Sequence, residues 1–152
     1  MAFRFFRLYS RIRNALLHMD KLYQRIQSSF EKQGFMDTLG ARLQTVSLGK
    51  VVITCPFKKG LTQQHGFFHA GVLTSIVDSA CGYAALTTMP EGKEVLSVEF
   101  KINMMRPAQS SQIIATGQVL KSGRTLTICE GVVTDETGEQ VFAKMMATMI
   151  SR

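Results

Sequence analysis

An aspartate stands alone among apolar residues in a stretch that reads as a helix. From Gly71 to Met89 the residues Val72, Leu73, Ile76, Val77, Ala80, Tyr83, Ala84 and Leu86 recur at three- and four-residue spacing, and Asp78 is the one charged residue of the run. The pattern predicts a helix buried on most sides. An ionised carboxylate without a partner in such a place is expensive to desolvate, or it takes up a proton instead. The helix opens on the small-residue turn His69-Ala70-Gly71, where the first backbone N–H groups have no partner within the helix. Positions 70, 71, 74 and 78 share a face, so Asp78 is expected to look back along its own helix toward the amides of Ala70 and Gly71. Those donors, with the positive end of the helix dipole, can hold a developing oxyanion. A carboxylate and an oxyanion site are the parts that acyl transfer needs. The competing reading is a polar stripe of Ser75, Asp78, Ser79 and Gly82 that opens to solvent.

The elements around this helix can be read in turn. The 152 residues suit one domain, and 45% hydrophobic with 19% charged residues is ordinary for a protein with a full core. Arg4, Arg7, Arg11 and Arg13 precede the first acid, Asp20, and supply more than half of the net charge of +7. Phe5, Tyr9, Ile12, Leu16 and Met19 form the opposing stripe of a basic amphipathic helix. Three readings of residues 1–19 stand side by side: docking on the domain or a sister subunit, peripheral contact with an anionic membrane, or an organelle-targeting leader. The helical pattern continues through Leu22, Ile26 and Phe30 until Gly34, which is expected to stop it. Alternation then predicts strands near 41–47 and 50–57 about a Leu48-Gly49 turn. Beyond Pro90, Leu96, Val98, Phe100, Ile102 and Met104 are expected on one face of a strand, with Ser97, Glu99, Lys101 and Asn103 on the other. Three further strands are expected near 111–121, 124–134 and 140–150.

A short-looped antiparallel sheet and one helix apolar nearly all round imply a sheet curled about that helix, an α+β hot-dog fold. The expected organisation is an N-terminal amphipathic helical segment over 1–34 and the hot-dog domain over 35–152. Cys55, Cys81 and Cys129 lie in apolar segments without CxxC spacing and read as reduced core thiols. His65 and His69 are four apart, but Gly66-Phe67-Phe68 between them reads as loop and no third ligand stands nearby, so no metal site is expected.

The run His69-Ala70-Gly71, then seven residues to Asp78, then Ser79-Ala80-Cys81-Gly82-Tyr83-Ala84-Ala85, resembles the signature of the PaaI-type hot-dog acyl-CoA thioesterases. Val98 to Met105 followed by Arg106-Pro107-Ala108 is similar to that family's strand after the helix, and the turns at Gly123-Arg124 and Asp135 to Gly138 fall where its hairpins do. The resemblance spans roughly residues 30–150. It implies that Asp78 acts as general base or nucleophile at a thioester carbonyl. It implies that the amide of Ala70, with Gly71, polarises that carbonyl, and that Gln63 or its neighbour Gln64 places the water or the carbonyl. His69 would orient the loop or contact the thioester. It also places the site between two subunits, Asp78 of one facing Gln63, His69 and Ala70 of the other.

A thioester is already activated, so one carboxylate suffices and no cofactor is needed beyond the coenzyme A of the substrate. Phe67 and Phe68 are expected to line an acyl pocket or a subunit interface. Arg106 and Arg124, with Lys58, Lys59 and Lys121, are candidates for the coenzyme A phosphates. The methionines lean toward medium or long acyl chains. A homodimer or homotetramer in the cytoplasm, active in fatty acid metabolism and without nucleic-acid contact, is the expectation. The alternatives are an acyl-CoA sensor that does not turn over, and a thioesterase acting on acyl-carrier protein.

Overall fold

The sequence alternates over six stretches, and each becomes a strand. The computed structural model describes the backbone of residues 2–152 and the side chains of Arg13 and of residues 16–152. The elements are α1 (Ala2–Phe30), α2 (Gly34–Leu39), β1 (Arg42–Ser47), β2 (Lys50–Pro56), a 3-10 turn at Lys59–Leu61, α3 (Ala70–Thr87), β3 (Val95–Met104), β4 (Gln112–Ser122), β5 (Leu126–Asp135) and β6 (Val141–Ser151). The six strands form one antiparallel sheet in the order β1-β2-β4-β5-β6-β3, and α3 packs against it. This is the hot-dog fold. The basic stripe Arg4, Arg7 and Arg11 lies outside the residues whose side chains are described.

Two glycines set how closely the helix meets the sheet. A Cβ on Gly117 of β4 would fall 2.3 Å from the backbone carbonyl of Ala80, and one on Gly131 of β5 would fall 2.4 Å from Val77 Cγ2. Backbone therefore rests almost directly on backbone at the middle of α3, with Val77, Ala80 and Cys81 fully buried there. The far end of α3 is tied down by polar contacts: Gly49 N–H in the β1–β2 turn donates to Thr87 Oγ1 at 2.7 Å. All three cysteines are buried and unpaired. Burial raises their thiols above the ordinary value, Cys129 to about 11, which suits inert core groups.

Two expectations change. Gly34 does not end the helical region; α1 ends at Phe30 and Gly34 opens α2, whose Met36 and Leu39 are buried. Six residues are too few for periodicity to reveal, and Gly40 with φ of 73° closes the helix, its N–H donating to the Asp37 carbonyl at 2.8 Å. The second change is in β3. Ser97 pairs with Met149 and Glu99 with the adjacent Thr148, so Val98 is an extra residue and forms a β-bulge. Adjacent residues of β6 point to opposite faces, and Met149 is buried against α3. Ser97 therefore faces the helix together with Phe100 and Ile102, while Glu99 and Lys101 face away.

The second half of α1 lies along the same core. Ile26 is fully buried and Phe30 nearly so. Arg25 donates to the carbonyls of Met89, Pro90 and Lys93 at 3.0, 2.9 and 3.2 Å, which joins α1 to the loop between α3 and β3.

Candidate active site

Asp78 sits midway along α3, half-buried, at the mouth of a cleft of about 590 Å³ between α1, α3 and the start of β3. Ser97 Oγ donates a 2.7 Å hydrogen bond to Asp78 Oδ1. Burial pushes the carboxyl above the ordinary aspartate value, and the Ser97 hydrogen bond pulls against it. The result is a carboxylate with one aimed donor and, among the described residues, no ion pair, more basic than a surface aspartate. Ser97 was not singled out in the sequence, because strict alternation assigns it to the opposite face. The Val98 bulge is what turns it toward the acid.

His69 is the residue that starts α3. Its Nδ1 accepts from Gly71 N–H at 2.9 Å, which places the ring N–H on Nε2. Gly71 is thereby removed from the expected oxyanion pair: its amide is already used in the cap. Ala70 N–H has no acceptor among the described residues and points out from the helix end. The expectation that Asp78 looks back to that amide along its own helix also fails. Eight residues of helix separate the two by about 12 Å of rise. One carbonyl cannot touch both groups of a single chain.

Gln63 and Gln64 lie in the turn before α3. The side-chain oxygen of Gln63 accepts from the backbone N–H of His65, and Gln64 Nε2 lies 3.4 Å from His65 Nε2. Phe68 is buried, its ring edge-on to Phe57 with centroids 5.4 Å apart, and its backbone N–H donates to Ala108 at 3.0 Å; Phe67 is half-buried. This bond brings the Arg106 loop to the start of α3, beside Lys58 and Lys59. Arg124 follows Ser122, whose hydroxyl lies 3.3 Å from Thr88 at the other end of that helix. Within one chain Arg106 and Arg124 thus lie toward opposite ends of α3, a helix of 18 residues and about 27 Å long. Both cations are exposed.

The edge strand β3 leaves Val98, Phe100 and Met104 exposed, next to the Ser97–Asp78 pair. Among the described residues no group of three or more His, Cys, Asp or Glu side chains converges in a way that could hold a metal ion.

The chain is similar to known thioesterases. The sequence pattern of the thioesterase superfamily matches residues 65–142, which takes in the His69–Gly71 turn, α3 and β3 to β5. A thioesterase family protein of solved structure from Silicibacter pomeroyi is 42% identical, superposes with a TM-score of 0.82 and covers 86% of this chain and 97% of its own. Acyl-coenzyme A thioesterase 13 from Homo sapiens is 28% identical over 125 residues, 81% of this chain and 89% of that protein. The E. coli PaaI protein from the phenylacetic acid degradation operon shares the fold, with a TM-score of 0.80 at 20% identity over 88% of this chain and 94% of that one.

Proposed function

Since the chain belongs to the thioesterase superfamily and is a thioester hydrolase, we propose that its substrates are acyl-coenzyme A thioesters and that Asp78 is the general base or nucleophile. The observation that carries this reading is the half-buried Asp78 carboxylate, raised in pKa and held by Ser97 alone at the mouth of a cleft. As a base, Asp78 takes a proton from water while the water oxygen adds to the thioester carbonyl carbon. The carbonyl π pair moves onto oxygen, and the Ala70 N–H of a second copy of the chain receives it. Collapse of that intermediate expels the coenzyme A thiolate, which collects the proton from Asp78. As a nucleophile, Asp78 displaces the thiolate to form a mixed anhydride, and water then hydrolyses it.

Two copies are required on this reading, because Asp78 and Ala70 of one chain are too far apart. The unpaired apolar edge of β3 supports a homodimer, or a homotetramer built from dimers. Gln63 or Gln64 then positions the water or carbonyl, and His69 holds the turn that presents Ala70. Lys58, Lys59 and Arg106, exposed near that turn, suit the coenzyme A phosphates; Arg124 and Lys121 reach the same nucleotide only where the second copy brings the other helix end alongside. Three unpaired thiols suit the reducing cytoplasm.

The test is release of free thiol from acyl-CoAs by the purified protein and by Asp78→Asn. Loss of kcat by about 10³-fold or more in the variant is expected. Saturable binding without turnover in the unaltered protein would make the chain an acyl-CoA sensor instead.

A further inference from the structure

The apolar stripe of α1 runs from the core into the open. Ile12, Leu16, Met19, Tyr23, Ile26 and Phe30 follow one another at alternating spacings of four and three residues, the repeat of a single helix face. Its C-terminal end is anchored. Ile26 and Phe30 are buried, Arg25 holds three carbonyls after α3, and Gln33, just past the helix, donates from Nε2 to the Tyr83 hydroxyl at 2.7 Å in the polar wall of the cleft beside Asp78. Toward the N-terminus the cover is lost: Tyr23 is 37% exposed, Met19 55% and Leu16 57%, and Leu17 beside it is exposed as well. Burial in the domain therefore accounts for the end of this stripe and not for its beginning.

Charge decides what covers the remainder. Arg4, Arg7, Arg11 and Arg13 precede the first acid, Asp20, so the part of α1 that carries Leu16, Leu17 and Met19 carries four arginines and no anion. A second copy of the chain bears the same arginines and a net charge of +7, and would set like charge against like. A nucleic acid would answer the arginines and leave the leucines in water. An anionic lipid surface answers both, its phosphates meeting the guanidinium groups and its acyl boundary receiving the apolar side chains. We propose that α1, from its N-terminus to about Tyr23, lies in the plane of an anionic membrane and holds the thioesterase domain on that surface.

The experiment is co-sedimentation of the full chain with vesicles of phosphatidylcholine alone and of phosphatidylcholine and phosphatidylglycerol in equal parts, at low and high salt. The unaltered protein is expected to bind the anionic vesicles and not the neutral ones, and to release them as salt rises. Arg4→Gln with Arg7→Gln, Arg11→Gln and Arg13→Gln should lose about 10²-fold or more in partitioning, while lysine at the same four positions keeps it. Leu16→Gln with Met19→Gln should lose roughly tenfold or more and, because both residues are exposed, melt close to the unaltered protein. Failure to bind anionic vesicles, or equal binding to neutral ones, overturns the proposal. A loss with the arginines exchanged but none with Leu16 and Met19 exchanged assigns the arginines to phosphate alone, as in a nucleic acid, and overturns it too. A changed oligomer mass in the Leu16 and Met19 variant makes the stripe a contact between copies of the chain, and a lowered melting temperature makes it part of the folded core; either result overturns the membrane surface. All of these outcomes leave the thioesterase reading standing.

Discussion

Ser97 and Asp78, 19 residues apart in the chain, meet at 2.7 Å because β3 carries one residue more than the strand it pairs with. Without the extra Val98 between the paired positions, Ser97 and Glu99 would share a face, and the hydroxyl and the apolar residues Phe100 and Ile102 could not both turn toward α3. The bulge thus serves packing and chemistry together. It also makes the acid tunable by a single donor.

Ser97→Ala should move the acid limb of the kcat/KM profile to higher pH. Burial already holds the Asp78 carboxyl above its ordinary value, and Ser97 stabilises the ionised form. Removing that donor raises the pKa further, so less of the active carboxylate is present at a given acidic pH. The loss is expected to be larger at acidic than at alkaline pH, measured by thiol release across the pH range. The same sign governs stability. A carboxyl with a raised folded-state pKa favours folding at acid pH, and that contribution is lost as pH rises through the raised value. Asp78→Asn should therefore melt higher than the unaltered protein at neutral pH.

Ala70→Pro removes one N–H with little structural cost. Ala70 is the first residue of α3, a position proline occupies well, and His69 before it already has φ of −64° and ψ of 139°, as a residue preceding proline prefers. The expected variant melts close to the unaltered protein but loses about 10²-fold or more in kcat. Co-refolding it with Asp78→Asn should restore activity, to roughly a quarter of the unaltered level for randomly mixed dimers, because each mixed dimer contains one intact site. No restoration would place both groups of a working site in one chain.

Gly117→Ala should be among the costliest single-methyl changes in the protein. The new carbon would meet the Ala80 carbonyl at 2.3 Å, and backbone cannot step aside as a flexible side chain can. A loss of about 3 kcal/mol is expected. Gly60→Ala, with nothing within 4 Å, should be near neutral, and chemical denaturation of the pair checks the contrast.

Much of this was legible in the chain. The buried helix over Ala70–Thr87, its lone acid, and the six strands all follow from periodicity, because each element is long enough to display its repeat. The rest depends on contacts that periodicity cannot carry. A bulge leaves the alternation of β3 unchanged in the sequence and alters only the pairing. The loss of Gly71 as a donor depends on which way the His69 ring turns. Gln33 and Tyr83 are 50 residues apart, and nothing local to either marks the other. Arg106 and Arg124 read alike as loop cations, yet the fold sends them to opposite ends of α3.

Arg25 and Ile26 of α1, with Gln33 just beyond it, have a second consequence, for how much of the chain can be trimmed. A protease or processing enzyme that cut before Asp20 would leave the Arg25 bonds to the carbonyls after α3, the buried Ile26 and the polar wall of the cleft in place. A cut after Gln33 would remove all three and expose the cleft beside Asp78 to water. Any maturation compatible with an intact site therefore has its boundary ahead of Arg25.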